Sequence, residues 1–184
     1  MTLVLAWYSK AGSRQVLHVA TDSLLSQAGT PLTWAHATKL FRVYPSHSYI
    51  AYCGSSLYGL SAVAQGIGLL SHTNLLGRET TTLKARALAL GRHMQAVFGT
   101  FPAAWGNEAT LLFCGHDPFL GGVHAYTLEF SGGKCAVNDA LPDGTRHVAL
   151  GSGARFARRA MPGRSHSRDI FAVLMEAIRS SSEA

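Results

Sequence analysis

The second residue of the chain carries the two groups that an N-terminal nucleophile needs. Methionine excision normally proceeds when the next residue is small, and Met1 is followed by Thr2. A chain that starts at Thr2 has a hydroxyl and a free α-amine on one residue, and an α-amine titrates at about 7.7–8.0. Near neutral pH part of the amine is therefore unprotonated and can take the hydroxyl proton. Many cytosolic proteins begin with Met-Thr, so Thr2 indicates this chemistry only together with partners elsewhere.

Two charged residues at predicted strand ends are the candidate partners of Thr2. Asp22 ends the second apolar run of the chain, and Lys39 begins the third. In a sheet built from hairpins both can reach the start of the first strand, where a cation lowers the pKa values of the hydroxyl and the amine. A buried carboxylate needs such a partner, because an unpaired buried charge is costly. The spacing fits equally well a structural salt bridge or two charges at exposed strand ends.

The first third of the chain predicts two pairs of strands. The apolar runs 3–8 and 16–20 are separated by a turn that contains glycine, which indicates a hairpin. The runs 39–44 and 48–53 predict a second pair. All four are apolar at successive positions rather than at alternate ones, as in sheets that are covered on both faces.

The next segment predicts two helices. Residues 57–70 are rich in Leu, Ala, Val and Ile, and residues 80–98 form the stronger amphipathic pattern. Thr80, Thr81 or Thr82 can cap this second helix. Its predicted core stripe consists of Leu83, Ala87, Leu90, Met94 and Val97.

The order of the elements predicts an α+β fold. Further strands are expected at 109–114, 124–130, 134–137 and 147–150, and further helices at 154–161 and 168–180. Separate batches of strands and helices favour α+β over alternating α/β. Two-sided burial then predicts a four-layer αββα sandwich, in which helices flank two antiparallel sheets, formed by one domain over residues 1–184.

The composition indicates which classes of protein the chain can belong to. With 47% hydrophobic and 14% charged residues the chain is too apolar to be disordered, and part of its exterior is expected to be subunit interface. The formal net charge is +6, which leaves a nucleic-acid-binding module as a less favoured alternative. A solvated helix face or a subunit rim explains the densest basic stretch equally well; its members are Arg155, Arg158, Arg159, Arg164 and Arg168.

Cysteine and histidine patterns predict neither a metal nor another cofactor. Cys53, Cys114 and Cys135 form no CxxC motif, and an odd, low count fits a reducing cytosol. None of the nine histidines forms a helical metal-binding pair. No apolar run reaches the roughly 18 residues that a membrane span requires, so we expect a cytoplasmic protein that interacts with neither membrane nor nucleic acid.

Six short motifs together resemble the proteasome β-type subunits, which are N-terminal nucleophile hydrolases. They occur in the family's order, cover nearly the whole chain, and imply the N-terminal nucleophile hydrolase fold. The motifs are Ala20-Thr21-Asp22-Ser23, Lys39-Leu40-Phe41, Tyr52-Cys53-Gly54-Ser55-Ser56, Phe113-Cys114-Gly115-His116-Asp117, residues 126–130 with Ser131-Gly132, and Gly151-Ser152-Gly153 with Phe156-Ala157.

The resemblance implies a catalytic set. Thr2 corresponds to the nucleophile, with its own amine as the base, and Asp22 and Lys39 correspond to the residues that tune it. The N–H group of Gly54 corresponds to the oxyanion-hole donor, which stabilises developing negative charge. Ser152 stands where the family places a hydroxyl near the threonine amine.

The resemblance also implies a substrate pocket and an assembly. Tyr52 corresponds to the floor of the main specificity pocket and would shorten it, and Leu25 and Ser26 stand near its wall. A Met-Thr start resembles the proteasome-like peptidase of bacterial ATP-dependent proteases. The implied partners are a peptide or unfolded protein substrate, other copies in a homo-oligomeric ring or double ring, and an ATPase regulator.

Two departures from the family pattern keep a second function open. The loop between the first two strands is longer than usual, and the family's C-terminal Asp and Ser-Gly-Gly element have no clear counterpart, because Glu183 is a poor match. A chain that keeps Met1 would also leave Thr2 without a free amine. An inactive homologue of the same fold, acting in assembly or binding, is therefore the alternative to a threonine peptidase.

Overall fold

A computed structural model describes residues 2–23, 25–26, 33–44, 46–72, 82–100, 108–143, 145–161 and 169–182. The strands are β1 (Val4–Ala11), β2 (Arg14–Thr21), β3 (Leu25–Ser26), β4 (Thr33–Trp34), β5 (Leu40–Val43), β6 (Ser48–Gly54), β7 (Ala109–His116), β8 (Val123–Ser131), β9 (Lys134–Asp139) and β10 (His147–Leu150). The helices are α1 (Ser56–Ser71), α2 (Leu83–Phe98), α3 (Ala154–Ala160) and α4 (Asp169–Ser182).

The first main sheet contains the start of the chain in its central strand. Its order is β10-β1-β2, and both pairings are antiparallel. The hairpin β1–β2 turns at Gly12, whose φ of 62° suits a residue without a Cβ. Because Val4 pairs with Thr21, the two ends of this hairpin bring Thr2 and Asp22 close together.

The second main sheet is larger and separate from the first. Its order is β5-β6-β7-β8-β9, with every neighbouring pair antiparallel, and β3 pairs with β4 as a small hairpin of its own. Lys39 directly precedes β5. The expectation that Lys39 and Asp22 extend from one hairpin-built sheet is therefore wrong: β2 belongs to the first sheet and β5 to the second. The short β3–β4 hairpin, which the apolar pattern did not predict, lies between these two strands in sequence.

Alternation along the buried strands explains why both faces are apolar. In β1, Leu5 and Trp7 pack with Phe156 of α3 and with α4, whereas Val4 and Ala6 face the second sheet. Successive side chains of a strand point to opposite faces, so a strand between two layers must be apolar at every position.

The second sheet follows the same rule. Ile50 and Tyr52 of β6 pack against α1 and α2, whereas Ala51 and Cys53 face the first sheet. The three core clusters therefore lie between α1/α2 and the second sheet, between the two sheets, and between the first sheet and α3/α4. The predicted four-layer αββα sandwich is confirmed.

Helix α2 differs from its prediction at both ends. Thr82 is the N-cap, and its Oγ1 accepts a hydrogen bond from the N–H of Ala85 at 3.1 Å; Thr80 and Thr81 lie outside the described residues. The assignment of Val97 to the core is wrong, since 42% of it is exposed. Phe98 is buried in its place, with its ring centroid 4.7 Å from that of Tyr58.

Candidate active site

The backbone of Thr2 is held by the turn that follows β10. The Thr2 nitrogen donates to Ser152 Oγ at 3.0 Å, and the Thr2 carbonyl accepts from the N–H of Gly153 at 3.1 Å. The next residue, Leu3, is fully buried between the first sheet and the helices α3 and α4. Thr2 is thus half-buried at the edge of a fixed core, and its nitrogen lies beside the hydroxyl that the resemblance implied.

Asp22 and Lys39 form a buried ion pair next to Thr2. Lys39 Nζ donates to Asp22 Oδ2 at 2.9 Å, and the two side chains are 0% and 2% exposed, respectively. The other carboxylate oxygen, Oδ1, accepts from the N–H of Leu3 at 2.6 Å. The pair therefore joins the two sheets and is fixed to the residue that follows Thr2.

A buried ion pair carries a free-energy cost, because burying two charges removes both from water. The desolvation cost is repaid only when the geometry is good and further hydrogen bonds satisfy the ions. The Asp22 carboxylate meets this condition through Lys39 on Oδ2 and the Leu3 N–H on Oδ1. The backbone N–H of Asp22 also donates to the Leu3 carbonyl at 3.1 Å, which fixes the two segments to each other. The arrangement holds a buried ion pair against the residue that follows Thr2.

Gly54 ends β6 in a conformation that favours glycine. Its φ is 103°, and a Cβ there would lie 2.7 Å from the carbonyl oxygen of Glu108. The adjacent N–H of Ser55 donates to that same oxygen at 3.0 Å. Gly54 is exposed and lines the same cleft as Thr2, while its role as an oxyanion-hole donor stays a prediction.

Gly151 has a role that sequence reasoning missed. Its φ is 89°, and a Cβ would collide with the carbonyl oxygen of Thr2. The absence of a side chain lets the turn pass close enough for Ser152 to reach the Thr2 nitrogen. The Gly-Ser-Gly motif signalled a turn into α3, but only the three-dimensional contact shows why its first glycine is needed.

A cleft of about 480 Å³ opens beside Thr2. The ends of β6, β7 and β8 line one side, and the turn after β10 lines the other. Cys53 also lines this cleft, which its sequence position did not predict; burial raises the pKa of its thiol to about 11. Cys53 is therefore almost entirely an uncharged thiol near neutral pH, which leaves Thr2 as the favoured nucleophile.

The predicted pocket residues occupy different surroundings. Tyr52 is fully buried, its ring stacks on Phe41 with centroids 6.4 Å apart, and its hydroxyl has no hydrogen-bond partner among the described residues. Burial raises the pKa of this phenol, the nearby side chain of Ser56 lowers it in part, and the charge of Asp22 raises it further, so that the pKa lies above its ordinary value. The backbone of Leu25 and Ser26 forms β3, and their side chains lie outside the description. The substrate roles of these three residues stay predictions.

Three residues that the sequence analysis singled out lie outside the described residues: Glu183, Arg164 and Arg168. Within the described ranges, no cluster of three or more His, Cys, Asp or Glu side chains could hold a metal ion. The helices in the same ranges include none that is both long and apolar enough to cross a membrane.

Comparison with known proteins identifies the fold but not the activity. No family model matches the chain, and no curated protein matches it in sequence. Among solved structures it is similar to eukaryotic HslV from Trypanosoma brucei, a proteasome-type N-terminal nucleophile hydrolase, with 21% identity and a TM-score of 0.55. The match covers 96% of this chain and 90% of the HslV chain. The chain therefore has the fold of the proteasome-type N-terminal nucleophile hydrolases.

Proposed function

We propose that this protein is a threonine-type peptidase whose nucleophile is Thr2 after removal of Met1. The observation that carries the proposal is the geometry at the start of the chain. The Thr2 nitrogen lies 3.0 Å from Ser152 Oγ, and the next residue donates to a buried, ion-paired Asp22. Removal of Met1 turns this nitrogen into a free α-amine, and the hydrogen bonds that hold the Thr2 carbonyl and the Leu3 N–H do not involve Met1.

The first chemical step uses that amine as the general base. The neutral α-amine takes the proton of the Thr2 hydroxyl, and the oxygen attacks the carbonyl carbon of the scissile peptide bond. Ser152 holds the amine in place by hydrogen bonding. The fixed charge of Lys39 favours the deprotonated forms of both Thr2 groups, because a nearby cation lowers their pKa values.

The second step releases the amine product. The tetrahedral oxyanion is stabilised by the Gly54 N–H, a donor held in place by the strand end. Collapse of the intermediate breaks the C–N bond, and the leaving nitrogen takes the proton from the Thr2 amine. A water then attacks the Thr2 ester, with the same amine as base, and restores the hydroxyl as the acid product leaves.

We further propose that the protein works in the cytoplasm as a closed homo-oligomeric ring or double ring. A ring restricts access to Thr2 to peptides and unfolded chains, and an ATPase regulator would supply the latter. Large apolar side chains that are exposed on the outer helices support association: Leu57 and Leu60 on α1, and Phe171 and Met175 on α4. Native mass spectrometry measures the ring size directly.

The proposal is tested by N-terminal mass and peptidase activity together. We expect the purified protein to begin at Thr2 and to hydrolyse short fluorogenic peptides. Thr2→Ala should keep the same N-terminal processing, because alanine is also small, yet lose hydrolysis by at least a hundredfold, as removal of a nucleophile implies. Hydrolysis that survives Thr2→Ala in a correctly processed chain would rule the proposal out.

A matched control separates loss of the nucleophile from loss of a threonine in general. Thr145 is exposed and lies in the segment before β10, away from the cleft beside Thr2. Thr145→Ala should retain the hydrolysis rate of the unaltered protein. A rate for Thr2→Ala equal to the full rate of Thr145→Ala would show that Thr2 is not the nucleophile. Absence of hydrolysis from every correctly processed protein, the unaltered one included, would leave the inactive homologue as the explanation.

A further inference from the structure

The cleft beside Thr2 extends onto the inner face of the second sheet. Thr110 of β7 and Glu129 of β8 are paired across the two strands, and both line the cleft together with Thr2. A substrate whose carbonyl lies at Thr2 would therefore place a neighbouring group against these strand ends.

Strand alternation determines where Glu129 points. Leu112 and Ala125 belong to the core cluster between the two sheets. Side chains two positions apart in a strand share a face, so Thr110 and Glu129 point into the same inter-sheet space. Deeper on this face Thr127 is buried, whereas Glu129 is exposed in the cleft.

On the inner face of β7 and β8, the carboxylate of Glu129 lies among apolar side chains such as Leu112 and Ala125 and uncharged polar ones such as Thr110 and Thr127. The cross-strand neighbours of Glu129 are Thr110 and Ala136, and neither carries a charge. Lys134 lies diagonally across on β9 but does not line the cleft, and among the described residues it forms no salt bridge with Glu129. Glu108 lines the cleft as well, so this part of a chain with net charge +6 is locally acidic.

We propose that Glu129 is a specificity-determining residue that makes the cleft favour substrates with a cationic side chain next to the scissile bond. This inference rests on the proposed function of Thr2. The acidic part of the cleft attracts a Lys or Arg side chain, while Thr110 and Ser131 offer hydroxyls to its N–H groups. The attraction is weakened by solvent because Glu129 is exposed.

The test compares peptides that differ only in one charge. A fluorogenic peptide series carries lysine, norleucine or glutamate at each position around the cleavage site. The variants are Glu129→Gln, Glu129→Lys and the control Asp143→Asn, which removes one negative charge from an exposed position outside the cleft. Binding of the same labelled peptides is measured in parallel by fluorescence anisotropy, so that recognition is followed independently of cleavage.

We expect the unaltered protein and Asp143→Asn to prefer lysine over norleucine in kcat/KM at one position. Glu129→Gln should reduce this preference by about two- to fivefold, the range for an exposed ion pair, and Glu129→Lys should shift it towards glutamate. Equal preferences in the unaltered protein and Glu129→Gln, in both cleavage and binding, would overturn the inference. Glu129-dependent binding without any cleavage would instead sustain the inference about the cleft and refute the peptidase function.

Discussion

The negative charges of two buried aspartates are compensated by different kinds of group. Asp22, near Thr2, is 4% exposed and pairs with the ammonium group of Lys39, which comes from the other sheet. Asp117 follows the last residue of β7 and is 0% exposed. Its carboxylate accepts hydrogen bonds from backbone N–H groups. Its Oδ2 accepts from the N–H of Leu83 at 2.7 Å, and its Oδ1 accepts from the N–H groups of Phe119 and Leu120, each at 2.9 Å.

The difference lies in what compensates each buried carboxylate: backbone N–H groups at Asp117 and a lysine side chain at Asp22. Asp117 holds the start of α2 to the β7–β8 turn with groups that are close in space and always present. Asp22 needs a lysine buried across the sandwich, although apolar residues of similar size are often at least as stable in such a position. We infer that the Asp22–Lys39 pair is present for its charge at Thr2, and that Asp117 is present for stability.

The largest expected effect comes from removing Lys39. Lys39→Met leaves the charge of Asp22 buried without its cation and should destabilise the fold by about 3–5 kcal/mol. The double variant Asp22→Asn/Lys39→Met removes both charges and should recover most of that loss. Peptidase activity should be absent from both variants. Urea unfolding at one fixed protein concentration measures the stabilities, and a double variant as unstable as Lys39→Met would make the pair structural.

The matching change at the other aspartate should act on stability alone. Asp117→Asn keeps the size of the side chain but replaces one acceptor oxygen with an NH₂ group that cannot accept the bonds which Asp117 now receives. We expect a loss of about 1–3 kcal/mol, measured by urea unfolding, with unchanged activity per folded molecule. The exposed Asp143→Asn is the control and should lie within about 0.5 kcal/mol of the unaltered protein. Lost activity at full folding would contradict the assignment.

Ser152→Ala should lower activity and leave stability nearly unchanged, the opposite of what we expect for Asp117→Asn, and its effect should be smaller. It removes the hydroxyl that accepts from the Thr2 nitrogen, a hydrogen bond worth about 0.5–1.5 kcal/mol, so kcat/KM should fall by roughly two- to tenfold. Stability should change little, because this hydrogen bond is exposed. Ser61→Ala is the matched control, since Ser61 Oγ donates to the Leu57 carbonyl on α1. An unchanged kcat/KM for Ser152→Ala would remove Ser152 from the site.

The smallest expected effect is the contribution of Asp117 to the loss of stability in acid. Burial alone raises the pKa of this carboxyl. The N–H groups of Leu120, Leu83 and Phe119, together with a smaller contribution from the charge of His124, outweigh burial, so its pKa lies below the ordinary value. A depressed folded-state pKa contributes stability that is complete above the unfolded pKa of about 3.9. That contribution is lost as the pH falls through the lower folded pKa.

Urea unfolding between neutral pH and pH 3 checks this expectation. The unaltered protein should lose more stability below about pH 4 than Asp117→Asn, because the variant lacks this titration. Parallel curves for the two proteins would show that Asp117 does not contribute to the acid dependence.

The layered fold could be predicted because its cause is local. A strand covered on both faces must be apolar throughout, and this pattern is visible in the residues of β1 and β6. The position of Lys39 could not be derived in the same way. A sequence shows that a strand exists but not which sheet it joins, and the predicted single sheet for Asp22 and Lys39 was wrong.

Parts of the candidate site depend on contacts between distant segments. The collision that requires glycine at position 151 involves the carbonyl of Thr2, and the face that presents Glu129 follows from its pairing with Thr110. Val97 is a related case. The periodicity of α2 predicted Val97 as the last core residue, but Phe98 is the residue that is buried there, and it packs on Tyr58. Such contacts are set by tertiary packing rather than by periodicity.

The most direct test of the central claim is covalent labelling followed by intact and peptide mass spectrometry. The protein is treated with a short peptide that carries an electrophile reactive towards N-terminal threonine. We predict one adduct per subunit, located on an N-terminal peptide that begins at Thr2, and no adduct in Thr2→Ala. An active protein that retains Met1, or an adduct on Cys53 in place of Thr2, would contradict the account.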